Sequence, residues 1–169
     1  MQLGSSVPAH FASISEVVDY VCWIGSNFSD SQDRRGLYEE GMKRIALHER
    51  ALLEALLYGT DKVAGLRDIP EVTVYLDYED LSTRDLIIAM SIEGLDFKEA
   101  VRQYEEEDVI VFERVVSSIY SKRMLESFGM TGAIRVSPLH CHSLEEIEHF
   151  LEVTMKIIEK NESKLNLIN

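Results

Sequence analysis

The sequence predicts an α+β, two-layer domain: a small mixed or antiparallel sheet of about four strands, with helices packed on one face and a long helix preceding it. Three observations point there. The N-terminal part carries apolar residues at helical spacing, the period changes to two beyond Pro70, and short β-prone runs then alternate with capped helical stretches.

Taken in order, residues 1–10 are weakly patterned, with Gly4-Ser5-Ser6 and Pro8 marking a loop. Ile14, Val17, Val18, Val21 and Ile24 fall on one helical face, so 11–24 is expected to be a helix that Gly25 ends, with Cys22 in its core-facing stripe. After a polar turn, Arg34 to Tyr58 is the longest periodic run. Leu37, Ile45, Leu52, Leu53, Leu56 and Leu57 form its apolar stripe, Glu39, Glu40, Lys43, Arg44, Glu49 and Arg50 face away, and Gly59 caps it. Val72, Val74 and Leu76 alternate as in a half-buried strand, while Leu86–Ile92 is nearly continuously apolar, as in an interior strand. Asp96 with Glu99 reads as a capping box opening a helix through Glu106. Val109–Phe112 is a third strand, Tyr120–Phe128 a short helix ended by Gly129, and Ala133–Ser137 the last strand. Ser143 with Glu146 is a second capping box. The helix after it is expected to bury Ile147, Phe150, Leu151, Met155 and Ile158 and to fray from Asn161. The domain organisation this suggests is a connecting loop and helix over 1–30 and a small α+β domain over 31–169.

At 169 residues, 46% apolar and with only three prolines, the chain is long enough for one real core. A formal charge of −13 argues against nucleic acid and against anionic membrane surfaces. Neither a bilayer-length apolar run nor a signal core is present, and two cysteines make no disulfide framework, so a cytoplasmic, reduced protein is expected.

Several constellations invite chemistry. Arg135, at the end of the last strand, can hold a carboxylate through two parallel hydrogen bonds, which lysine cannot do as a planar fork. His140-Cys141-His142 falls short of the ligand count of a metal site and is better read as the turn into the last helix. Cys141, without a neighbouring base, is expected to be unreactive. The acidic run Glu105–Asp108 reads as a solvated helix end. Ser117-Ser118 with Tyr120 and Lys122-Arg123 could meet an anion, or be a polar loop with a surface basic pair. Ser5-Ser6 after Gly4 suits a phosphate contact. No nucleophile with an adjacent base, P-loop or dinucleotide fingerprint occurs, so no catalytic residue is assigned.

Arg135-Val136-Ser137, His142-Ser143 and Glu145-Glu146-Ile147-Glu148-His149-Phe150 together closely resemble the C-terminal end of class V aminotransferases. This is the pyridoxal-phosphate (PLP) family that includes the cysteine desulfurases. Tyr38–Ile45 with His48-Glu49 resembles the family's long helix, and Leu3-Gly4-Ser5-Ser6 through Val18-Asp19-Tyr20 its Gly-Thr-Pro segment and following helix. The resemblance spans residues 3–158 and is most specific at the C-terminal motif.

What the resemblance implies is the small domain of a fold type I PLP enzyme, a transferase or lyase. Arg135 would bind the α-carboxylate of an amino-acid substrate, with Arg114 lining its entrance. Ser5 would contact the cofactor phosphate across a homodimer. The family's Schiff-base lysine belongs to a large domain, and no matching Ser/His-rich stretch occurs here, so neither Lys43 nor Lys122 is marked as an anchor. The chain alone is therefore expected to hold no PLP covalently and to be inactive. The desulfurase cysteine would fall near Val116–Ile119, where the sequence reads Val-Ser-Ser-Ile. The alternative is a stand-alone, non-enzymatic module that binds a ligand such as an amino acid or mediates protein interaction.

Overall fold

The computed structural model describes residues 7–166, with side chains through 163. The chain divides into two compact units, Met1–His48 and Glu49–Asn169.

The first unit holds α1 (Pro8–Ser26) and the start of α2 (Arg34–Tyr58). Proline in the first turn lets α1 begin earlier than its apolar stripe suggests. Gly25 does not end it. A Cβ at Gly25 would lie 1.9 Å from the Leu37 carbonyl oxygen, and one at Gly41 2.0 Å from that of Val21, so these glycines let two helical backbones touch. That crossing buries Val21, Cys22 and Gly25, but Ile14 and Val17, expected on the buried stripe, are 64% and 61% exposed. The Asp33 carboxylate accepts from the Gly36 amide at 2.9 Å and so starts α2, and Arg34 pairs with Asp19 at 2.6 Å.

The second unit contains the C-terminal turns of α2 and a four-stranded sheet. Its strands are β1 (Val72–Val74), β2 (Ile88–Ile92), β3 (Phe112–Val115) and β4 (Gly132–Val136). Their order is β1-β2-β4-β3, and all neighbours are antiparallel. Helices α3 (Phe97–Glu105), α4 (Lys122–Ser127) and α5 (Leu144–Asn166) complete the unit, giving the expected α+β fold. The register puts Val72, Val74, Ile88, Met90, Ile92, Ile134 and Val136 on one face of the sheet. They join a single core with Leu56 and Leu57 of α2, Ala100 and Tyr104 of α3, and Phe150, Leu151 and Ile157 of α5. Leu86–Ile92 does supply an interior strand, but pairing starts only at Ile88.

Three strand ends differ from expectation. β1 stops at Val74 because Leu76 takes a left-handed conformation, φ 50°. Arg84 holds that corner by donating to the Leu76 carbonyl at 2.8 Å, and Arg67 grips Asp77 through two hydrogen bonds. β3 occupies 112–115 rather than 109–112. Extending the Phe112–Arg135 register backwards would set Val109 opposite Pro138, which has no N–H for a ladder, and Asp108 sits at φ 58°. For the same reason β4 ends at Val136 rather than Ser137.

Both N-caps form, and the Ser143–Glu146 box is reciprocal, while the Glu99 carboxylate takes Arg102 and Gln103. Asp96 accepts from the Lys98 and Glu99 amides. Ser143 and Glu146 exchange bonds of 2.7 and 3.3 Å. The short helix α4 is followed by Gly129 at φ 66°, as its sequence suggested. The helix α5 continues to Asn166 instead of fraying at Asn161, whose side-chain Nδ2 donates to the Ile157 carbonyl at 2.7 Å and to Gln103 Oε1 at 3.3 Å. Met155 is 39% exposed rather than buried, since the inward row runs through Leu151, Thr154 and Ile158 and leaves it one residue off that face. Nor is the acidic run merely a solvated end. Glu107 pairs with Lys156 at 2.5 Å and Glu106 with Lys160 at 3.3 Å, joining α3 to α5. Among the described residues no helix is long and apolar enough to cross a membrane.

A buried polar tie runs through the core. Thr154 Oγ1 donates to the Phe150 carbonyl at 2.8 Å, which leaves the Tyr104 hydroxyl to donate to Thr154 at 2.7 Å. Burial pushes the Tyr104 phenol well above its ordinary range, so it keeps that proton. Thr154→Val strands the tyrosine hydroxyl and should cost about 1–3 kcal/mol, against about 1 kcal/mol for Tyr104→Phe. Urea unfolding of both variants checks the order; equal losses would contradict this donor assignment.

The nearly buried Glu148 carboxylate latches the segment after α2 onto α5, accepting from Lys62 at 2.7 Å and Thr60 at 2.9 Å. These two donors, Lys62 first, hold its pKa below the usual carboxylate range. A depressed folded-state pKa gives stability that is present above the ordinary glutamate pKa and is lost as pH falls through the folded value. Thermal melts of wild type and Glu148→Gln between pH 7 and 3 should therefore show the wild-type advantage shrinking toward acid. A constant gap would remove the ionic contribution.

Candidate carboxylate site

β4 lies between β2 and β3, so Ile134 and Arg135 each have a cross-strand neighbour on both sides. Ile134 and Val136 point into the core, at 1% and 4% exposure, and the alternation of the strand sends Arg135 to the opposite face. Its partner on β2 is Ala89, which offers only a methyl group and leaves the guanidinium room. Its partner on β3 is Phe112, whose ring centroid lies 5.3 Å from Arg135 Cζ, within cation–π distance.

Two observations make Arg135 a candidate binding group. Its Nε, like Arg50 Nη1 and Arg84 Nε, is buried and has no hydrogen-bond partner among the described residues, a state costing about 1–3 kcal/mol unless an acceptor is supplied. Arg34, Arg35, Arg44, Arg67, Arg84 and Arg102 each pair with a carboxylate. Arg135 makes no such pair among the described residues. A carboxylate, with two oxygens matching two N–H groups on one guanidinium edge, fits that vacancy in the bonding pattern.

Arg114 lies two residues beyond Phe112 and opposite Ala133, so the register places it on the same face as Arg135. It is half-exposed and makes no ion pair among the described residues. Ser5 lies outside the described residues. The loop at Val116–Ile119 is a turn, with the Ser118 amide donating to Val115 at 3.0 Å. The proposed anion contact around it does not converge, because Lys122 leans toward Glu126 at 3.9 Å and Tyr120 is 89% exposed.

His140-Cys141-His142 forms the turn into α5, where the Leu139 amide donates to His142 Nδ1 at 2.9 Å. Among the described residues no group of three or more His, Cys, Asp or Glu is placed to hold a metal ion. A separate cleft opens where β3 and β4 diverge, between Val109–Val111 and Val136–Pro138, but no lysine or arginine lines it.

Sequence reasoning missed Phe112 and Ala89 as neighbours of Arg135. The alternation Phe112-Glu113-Arg114 carried the signal, hidden by placing the third strand three residues too early. Pro138 was the available correction.

Two solved structures share the fold. The chain resembles a cysteine desulfurase from Thermococcus onnurineus NA1, with a TM-score of 0.59 and 21% identity over 75% of this chain and 29% of that one. It also resembles the cysteine desulfurase CsdA from Escherichia coli, with a TM-score of 0.51 and 12% identity over 78% of this chain and 32% of that one. No protein-family model and no curated protein matches the sequence. The chain thus spans less than a third of either structure, and at these identities what it shares with them is the fold.

Proposed function

We propose that this chain is the C-terminal small domain of a PLP-dependent class V aminotransferase or cysteine desulfurase-like enzyme, in which Arg135 clamps the substrate α-carboxylate. The observation that carries this reading is Arg135 itself: backed by Phe112, with a buried unpartnered Nε and no carboxylate of its own. The fold shared with two cysteine desulfurases, over less than a third of their length, supports the family and the status of a part. In this reading residues 1–30 connect to a large domain and 31–169 form the small one. Ser5 reaches the cofactor phosphate of a second subunit in a cytoplasmic homodimer, and Arg114 lines the substrate entrance.

The described residues do not themselves fit a covalently held cofactor. Every lysine whose side chain is described is exposed, and Lys43, Lys62, Lys122, Lys156 and Lys160 lie within 4.0 Å of carboxylates. A buried, desolvated amine is what such an anchor requires. When bound by a large domain, PLP supplies an electron sink. This chain's part is to bind and orient: Arg135 offers a fork of N–H donors, Phe112 lies beside it, and Ala89 leaves the approach clear. Alone the chain is inert. Because Val116–Ile119 holds no thiol, the reading extends to class V chemistry and not to persulfide formation.

Titration of the chain with L-alanine, followed through arginine Nε–Hε resonances, should shift the Arg135 signal. Arg135→Gln should abolish binding, and Arg135→Lys should weaken it about tenfold by replacing a fork with a point charge. Binding that survives Arg135→Gln would sink the carboxylate role. An immunoblot of source cells tests the part-enzyme reading: a band more than twice this length is expected, and one at the chain's own size rejects it.

A further inference from the structure

We propose that the cleft between the diverging ends of β3 and β4 binds an alkylammonium group, with its charged end at Asp108 and Glu146 and its carbon chain on an apolar floor. The proposal uses none of the side chains around Arg135 and stands apart from the carboxylate reading.

The cleft exists because the ladder stops early. Beyond the Phe112–Arg135 pair the amides of Ile110, Val111 and Ser137 donate to no main-chain carbonyl among the described residues, and Pro138 has no amide to offer. The two chain ends part there and leave about 320 Å³ between them, at the small end of ligand cavities. The helix α5 closes another side. Glu146, His149 and Phe150 are spaced i, i+3 and i+4, so one face of that helix lines the cleft. His149 Nε2 reaches the Glu107 carbonyl at 3.2 Å and ties that face to the residue before Asp108. Leu56, Val111, Val136, Ile147 and Phe150 form the floor and are all buried, while Ile110 is 79% exposed.

The charges in this lining have one sign. Asp108 and Glu146 carry carboxylates, and no lysine or arginine answers them. Glu146 gives Oε2 to the Ser143 amide and keeps Oε1, and the Asp108 carboxylate takes no hydrogen bond among the described residues. A carbonyl can only accept, so the bond to Glu107 puts a proton on His149 Nε2, and the ring, when neutral, keeps Nδ1 as a further acceptor. Two carboxylates on one cleft repel each other unless a cation lies between them. Water satisfies an open amide but does not neutralise a carboxylate. An ammonium has three donors and no acceptor, which suits these side chains, and the apolar floor favours one that carries a hydrocarbon chain.

The experiment is an NMR titration of the full chain at fixed ionic strength with n-pentylammonium, ethylammonium and pentanoate, read on the amides of Val111 and Phe150. Pentylammonium should shift both and bind more tightly than ethylammonium by about fourfold per added methylene. Pentanoate should shift neither. Asp108→Asn and Glu146→Gln remove the charges and spare the fold, because asparagine tolerates the left-handed backbone at 108 (φ 58°) and glutamine keeps the capping box. Each should weaken binding about threefold, and the double variant about tenfold. Glu93→Gln, which removes an exposed acid at the opposite end of β2, should change nothing. A lysine side chain is a second source of the same group, and Nα-acetyl-lysine methylamide separates the two. Binding at least as tight as that of pentylammonium supports a partner's lysine as the ligand, and weaker binding supports a free amine. Absent shifts at Val111 and Phe150, equal shifts with pentanoate, no gain with chain length, or losses no larger than that of Glu93→Gln would each overturn the proposal and leave the Arg135 reading untouched.

Discussion

The placement of β4 between two antiparallel neighbours governs both the core and the candidate site. Ile134 and Val136 enter the apolar layer shared with Tyr104, Phe150 and Leu151. A slip of one residue would exchange faces, carrying Arg135 into that layer and the two hydrophobic side chains out of it. Burying an unpaired guanidinium there costs several kcal/mol, while removing two aliphatic side chains from the core costs a comparable amount again. The register is therefore held by two penalties of the same sign. Arg135 reaches the opposite face of the sheet as a direct result of how the core is filled.

Charge is distributed over the second unit with a similar economy. Arginines near the end of β1 pin an unfavourable left-handed leucine by gripping backbone carbonyls and Asp77. Lysines of α5 take up the acids that end α3. Glu148, almost out of solvent, is answered by one ammonium and one hydroxyl. Against this background the paired residues on the sheet face bearing Arg114 and Arg135 include no acid.

Much of the architecture could be read locally. The N-caps at Asp96 and Ser143 depend on side chains meeting backbone amides two or three residues away, and both formed as their spacing required. Gly59 likewise closes α2, with φ 80° and its amide on the Ala55 carbonyl. Errors arose where a distant residue decided. Pro138 shifted β3 by three positions, Gly41 turned Gly25 from a helix stop into a contact, and Gln103 held Asn161 in α5 beyond its expected end. Met155 failed for a smaller reason: an apolar residue one step off the inward row contributes nothing to the stripe it resembles.

By itself the sequence determined the α+β class, the helices and their caps, the β-prone runs and the presence of an arginine at the end of the last strand. These follow from periodicity and from bonds within a few residues. Only the tertiary structure decided the strand order, the register that sets Phe112 and Arg114 beside Arg135, and which acids neutralise which bases. Those outcomes depend on backbone pairing and charge contacts between residues tens of positions apart, where no local pattern carries the information.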